Sequence, residues 1–141
     1  MYNQITYFDP ASGNVSIQAG EINYLKETKG TQNNMVMPPQ PNIHGTHIYL
    51  TNGQKKEVTD NFHYLKSQII SDKFYEISGP YFINTEQINA VKTDETTLQD
   101  KYVVFKNGQS IPIPFTEVKD LIYKMQQLYP ANAHQISQMV K

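Results

Sequence analysis

The sequence predicts an α+β domain that is mainly antiparallel β-structure, and three observations carry that prediction. Asn-Gly pairs at 52–53 and 107–108 each sit between two extended runs, the strongest short-range hairpin signal. Elsewhere the apolar residues come as alternating pairs or short runs, as in Ile5 and Tyr7 or Val15 and Ile17. Helical spacing is strong in only two stretches, Phe62, Leu65 and Ile69, and Val118, Leu121, Ile122, Met125 and Leu128.

In chain order, the first 27 residues hold strand-like pairs separated by Pro10, Gly13 and Gly20, with a turn expected at Gly13-Asn14. Residues 28–45 carry Pro38, Pro39 and Pro41 among glycines and asparagines. They read as one long extended loop, either functional or loosely ordered. A hairpin follows, 47–50 against 55–58, and then a helix over about 59–71 capped by Thr59 or Asp60. Phe74 to Ile77 is a strand, Ser78-Gly79-Pro80 breaks it, and Tyr81 to Ile83 resumes extended structure. Residues 84–87 form a polar turn before a strand from Ile88 to Val91, and residues 94–100 are a polar connection. The second hairpin pairs 102–105 with 110–113. A helix over about 115–129 then starts after Pro114, with Thr116 placed to cap it, and stops at Pro130. The chain therefore reads as a single domain over 1–130 and a C-terminal tail or short helix over 131–141.

Composition narrows the function. The 141 residues include 12 Lys+Arg against 13 Asp+Glu, a net charge of -1, and all the cations are lysines. A chain without arginine lacks the side chain that grips guanine edges and phosphates bidentately. The absence of cysteine removes disulfides, thiol nucleophiles and cysteine-ligated metal sites. Ten Tyr and six Phe provide enough apolar area to exclude a disordered chain. No apolar stretch reaches the roughly 18 residues of a membrane span, and the N-terminus has no signal-peptide pattern. The expected compartment is the cytoplasm, with no membrane partner.

Enzyme chemistry finds no footing. His44 and His47 are three apart without a His-Glu-x-x-His arrangement, and His63 and His134 are isolated, so no metal is expected. There is no Gly-x-Ser-x-Gly elbow, no phosphate-cradling glycine loop and no spaced carboxylate pair. The expectation is a non-enzyme without cofactor.

The segment from Phe74 onward resembles the LytTR family of bacterial DNA-binding domains. The matching words are Phe74-Tyr75-Glu76-Ile77, Tyr81-Phe82-Ile83-Asn84, Ile88, Val103 to Phe105, Asn107-Gly108 and Ile111-Pro112-Ile113, closed by the helix around Leu121. Upstream, Glu21-Ile22-Asn23-Tyr24-Leu25 is similar to the family's first conserved strand, and the helix at 59–70 takes its place in the order. The resemblance implies about ten strands with interspersed helices, and loops that enter DNA major grooves. It also implies a stand-alone bacterial transcription regulator without a receiver domain, since the chain is too short to hold both.

In such a domain the DNA contacts come from three loops, which fall here on residues 28–45, 78–80 and 114–116. The family's "H-R-S" becomes Ser78-Gly79-Pro80 and its "S-R-R" becomes Pro114-Phe115-Thr116. The resemblance thus points to His44, Ser78, Gly79 and Thr116 as DNA-contacting residues, with Lys119 and Lys124 on the last helix meeting phosphates. Lys26, just before the long loop, and Lys29, at its start, are placed to meet phosphates as well. Against this stand acidic residues interleaved with most lysines, which is how an ordinary solvated surface reads. Two functions follow: a regulator binding double-stranded DNA, or the same fold without DNA binding, serving protein interaction or homodimerisation.

Overall fold

A computed structural model describes residues 4–29, 44–93 and 101–138, with the backbone alone at Lys29 and His44. Among these residues, ten strands make three antiparallel sheets. Strands β1 (Gln4–Asp9) and β2 (Gly13–Gln18) form a hairpin. A five-stranded sheet takes β3 (Ile22–Lys29), β4 (His44–Leu50), β5 (Lys55–Val58), β6 (Phe74–Ile77) and β7 (Tyr81–Asn84) in the order β5-β4-β3-β7-β6. The last sheet holds β8 (Ile88–Thr93), β9 (Lys101–Phe105) and β10 (Ser110–Ile113), with β9 in the middle. Helices α1 (Phe62–Gln68), α2 (Phe115–Leu128) and α3 (Ala133–Ser137) complete the α+β domain.

The five-stranded sheet is the central layer, because alternation along its strands gives it two apolar faces. Ile22, Leu25, Ile48 and Leu50 face one way and pack with Ile5, Tyr7 and Ile17 of the first hairpin and Phe62 and Leu65 of α1. Tyr24, Ile77, Tyr81 and Ile83 face the other way, against Val91, Val103, Phe105, Ile111 and Ile113 of the last sheet and Val118, Leu121 and Met125 of α2. Ile136 of α3 belongs to this second core.

Several boundaries differ from the sequence expectation for local reasons. The first turn is Pro10 to Ser12 rather than Gly13-Asn14. The Asp9 carboxylate accepts the Ala11 N–H at 2.8 Å, and Gly13, at φ 79°, already opens β2. Helix α1 is capped by Asn61, whose Oδ1 accepts the N–H groups of His63 and Tyr64. Asp60 is unavailable for that role: its Oδ1 takes the Phe8 N–H, and its carbonyl takes the Thr46 hydroxyl. The helix stops at Gln68 because Ile69 is extended, leaving α1 shorter than 59–71. Pro114 is the N-cap of α2, so Thr116 lies within its first turn and caps nothing. Thr28 and Lys29 pair with Gly45 and His44 at the ends of β3 and β4, so the expected 28–45 loop begins later and ends earlier. Its interior, 30–43, lies outside the described residues, as does the connection 94–100.

One plan occurs twice. A 3-10 turn (Ala19–Glu21 or Thr85–Gln87) leads into an Ile-Asn pair, where the strand register slips (Ile22/Tyr24 and Ile88/Ala90). After the middle strand comes an Asn-Gly-Gln turn, a third strand and a helix. The turns match bond for bond. Gln54 and Gln109 N–H groups each reach the Asn two residues earlier, and Gly53 and Gly108 take φ of 91° and 94°. Thr51 N–H donates to the Glu21 carbonyl as Lys106 N–H donates to that of Gln87. The two units touch: Asn107 Nδ2 donates to the Thr51 carbonyl at 3.2 Å, and buried Asn23 donates to Gln109 Oε1 at 2.6 Å.

Candidate nucleic-acid interface

The fold brings the 78–80 turn, the ends of β3 and β4 and the start of α2 to one end of the central sheet. Tyr81 pairs with Lys26, and the Glu27 N–H donates to the Pro80 carbonyl at 3.2 Å, so the 78–80 turn lies beside the end of β3. The Ser78 N–H donates to Glu117 Oε1 at 2.9 Å, which fastens the same turn to the first turn of α2. A shallow groove of about 470 Å³ opens between this turn and the ends of β9 and β10, lined by Ser78, Gly79, Lys101, Tyr102 and Pro112 to Pro114. Residues 39 positions apart thus share one surface.

The turn has glycine at 79 because the Tyr81 ring lies where a Cβ would stand. That buried ring also carries Lys26, whose Nζ is 5.6 Å from its centroid, a cation–π distance. From Tyr81 a row crosses the sheet through Lys26 and His47 to Glu57. Burial, with the Lys55 and Lys26 ammonium groups, pushes the His47 pKa down against the opposing pull of Glu57. Lys55 is occupied by Glu57 at 3.0 Å. Burial, and then the carboxylates of Asp120 and Glu117, hold Tyr75 protonated by raising its pKa.

Of the residues singled out in the sequence, Ser78, Gly79 and Thr116 are exposed at this end, together with Phe115, which is 72% exposed. Lys119 is exposed one turn into α2. Lys124 lies about 12 Å along the helix from Thr116 and about 140° around the axis from Lys119, so these two lysines do not form one face. His44 begins β4 opposite Lys29, and its side chain lies outside the described residues. Among the described residues Lys66 pairs with Glu76 and Lys73 with Glu86, while Lys26, Lys101 and Lys119 have no carboxylate partner. The sequence reading missed Glu117, whose carboxylate stands inside the candidate surface. An acidic residue in the first turn of a helix reads as dipole compensation, and its bond to Ser78 is visible only in three dimensions. No group of three His, Asp or Glu side chains that could hold a metal gathers among the described residues.

A three-layered, mostly antiparallel domain that collects strand turns and a helix start at one end defines a class of β-rich α+β domains. The chain belongs to the LytTr DNA-binding domain family, whose sequence profile matches residues 15–126. It is similar in fold to the LytTr DNA-binding domain of a protein described as a methyl-accepting/DNA response regulator from Bacillus cereus. The TM-score is 0.59 at 12% identity, covering 89% of this chain and 98% of that one. No curated protein matches it in sequence. No helix among the described residues is long and apolar enough to cross a membrane.

Proposed function

We propose that this domain binds duplex DNA and acts as a transcription regulator, through the end formed by the 78–80 turn, the start of α2 and the ends of β3 and β4. The observation that carries the reading is that the 78–80 turn, the start of α2 and the end of β3, to which the resemblance assigns contacts, lie together, with the Ser78 N–H donating to Glu117 and the Glu27 N–H to the Pro80 carbonyl. Lys26, Lys101 and Lys119 supply phosphate charge there, and Ser78 and Thr116 supply hydroxyls for base edges or phosphates. Glu27 and Glu117 offset part of that charge, so binding is weak and only modestly selective. Fluorescence anisotropy on AT-rich duplexes over a salt series is the test. Absence of binding near about 50 mM salt removes the reading, because even non-specific contacts by a few lysines register there.

A second reading has one observation in its favour. Phe115 and Tyr123, 72% and 61% exposed, flank Lys119 on the outer side of α2 and give that helix an aromatic stripe suited to a protein partner or a second copy. Sedimentation equilibrium decides it: a concentration-dependent dimer lost in Tyr123→Ser supports this interface.

A further inference from the structure

We propose a binding site for a small carboxylate with an apolar body in the cleft at the opposite end of the domain from the 78–80 turn. The cleft, about 470 Å³, opens between the 3-10 turn before β8, the C-terminal half of α2, and α3. That volume falls within the range of small-ligand sites, which combine an apolar floor with a few placed polar groups. Its floor is Ile88, Met125 and Ile136, all buried members of the second core.

The polar wall has a definite sign. Glu86 is already engaged by Lys73 at 2.5 Å, and the Tyr129 hydroxyl shares a hydrogen bond with Thr85 at 2.9 Å. Burial raises the Tyr129 pKa, so the phenol stays neutral. What remains in the lining is Lys106, which has no carboxylate partner among the described residues, together with the amide side chains of Gln87, Asn132 and Gln135. The Lys106 backbone is anchored at the rim, where its N–H donates to the Gln87 carbonyl at 2.8 Å. One unneutralised cation and three amides above an apolar floor suit a carboxylate whose hydrocarbon part turns inward. The duplicated plan points the same way. The position equivalent to Lys106 in the first unit is Thr51, so the charge belongs to this cleft and not to the hairpin design.

Benzoate is the probe, its neutral isostere benzamide the control, and methyl NMR of the Ile- and Met-labelled full chain the readout. Benzoate is expected to shift the Ile88, Met125 and Ile136 methyl signals in a saturable way, roughly fivefold more tightly than benzamide, the scale of one exposed charge pair. Lys106→Gln, at an exposed position that leaves the core intact, is expected to bring benzoate down to the benzamide level. Shifts centred elsewhere, no saturation, equal binding of the two compounds, or an unchanged benzoate affinity in Lys106→Gln would each overturn the proposal.

Discussion

The charge content of the candidate DNA surface sets how binding responds to salt. Three lysines without carboxylate partners among the described residues, Lys26, Lys101 and Lys119, stand at or next to this end. If each neutralises one phosphate, log K falls with log salt at a slope of about −2.7, and raising salt from about 50 to about 200 mM weakens binding roughly 40-fold. Removing one lysine, as in Lys101→Gln or Lys119→Gln, flattens the slope to about −1.8 and reduces the loss to roughly 12-fold. Glu117→Gln is the matching perturbation of opposite sign. The amide oxygen still accepts the Ser78 N–H, so the turn stays fastened while a negative charge leaves the surface. Binding should tighten by up to about fivefold at low salt, the reach of a single exposed charge. Anisotropy titrations of a labelled duplex against wild type and the three variants, with circular dichroism to verify folding, provide the measurement. Lysine variants with the wild-type slope, together with a Glu117→Gln variant no tighter than wild type, would refute this placement of the interface.

Other consequences concern stability. Gly79→Ala drives a methyl group into the Tyr81 ring and should cost about 1–3 kcal/mol in chemical denaturation. Gly20→Ala, where a Cβ meets nothing within 4 Å, should range from neutral to about 1 kcal/mol stabilising, and equal effects at the two sites would contradict the packing described. Leu121→Ala empties a fully buried position between α2 and the last sheet and should lower stability by about 2–5 kcal/mol, read as a melting point lower by about 8–20 °C. His47 has a pKa below the ordinary histidine value in the folded state, so the unfolded chain binds the proton more readily. Stability from this residue is intact above about pH 6.5 and is lost as pH falls from there through the lowered folded value. His47→Gln should therefore flatten the acid side of the stability curve, and identical curves would exclude His47 as a contributor.

Most of the fold was legible because its signals are local. Both Asn-Gly turns, the break at 78–80 and the apolar stripe of α2 each occupy a few consecutive residues, and each formed where the sequence indicated. Helix ends were less legible, since capping is a competition. Asp60 and Asn61 are equally able to cap, and only the approach of Phe8 and Thr46 diverts Asp60. The pairing of β3 with β7, some 57 residues apart, and the bond between Ser78 and Glu117 leave no mark in any short window. The duplicated plan was present in the letters, as Glu-Ile-Asn and Gln-Ile-Asn followed by two Asn-Gly-Gln turns. Its meaning needed the matching register slips and the contact between Asn23 and Gln109.

The missing arginines acquire a structural consequence at the candidate interface. An arginine reads a guanine edge with a rigid two-pronged fork, whereas lysine offers a mobile point charge that favours phosphate without fixing a register. With Lys26 resting on Tyr81 and Lys101 donating to the Thr93 hydroxyl at 2.5 Å, two of the three cations have their stems held by the fold. That restraint lowers the entropy lost on contact and partly replaces the fork's rigidity. On the proposed reading, base discrimination falls to short side chains, Ser78 and Thr116, and to contact of Phe115 with a thymine methyl. The proposed interface should accordingly discriminate A·T-rich sites through groove shape and methyl contact, with little penalty for moving a G·C pair. Phe115→Ala should erase that preference while leaving the salt slope unchanged. A variant that loses slope and preference together would place Phe115 in the scaffold of the surface and leave its base reading without support.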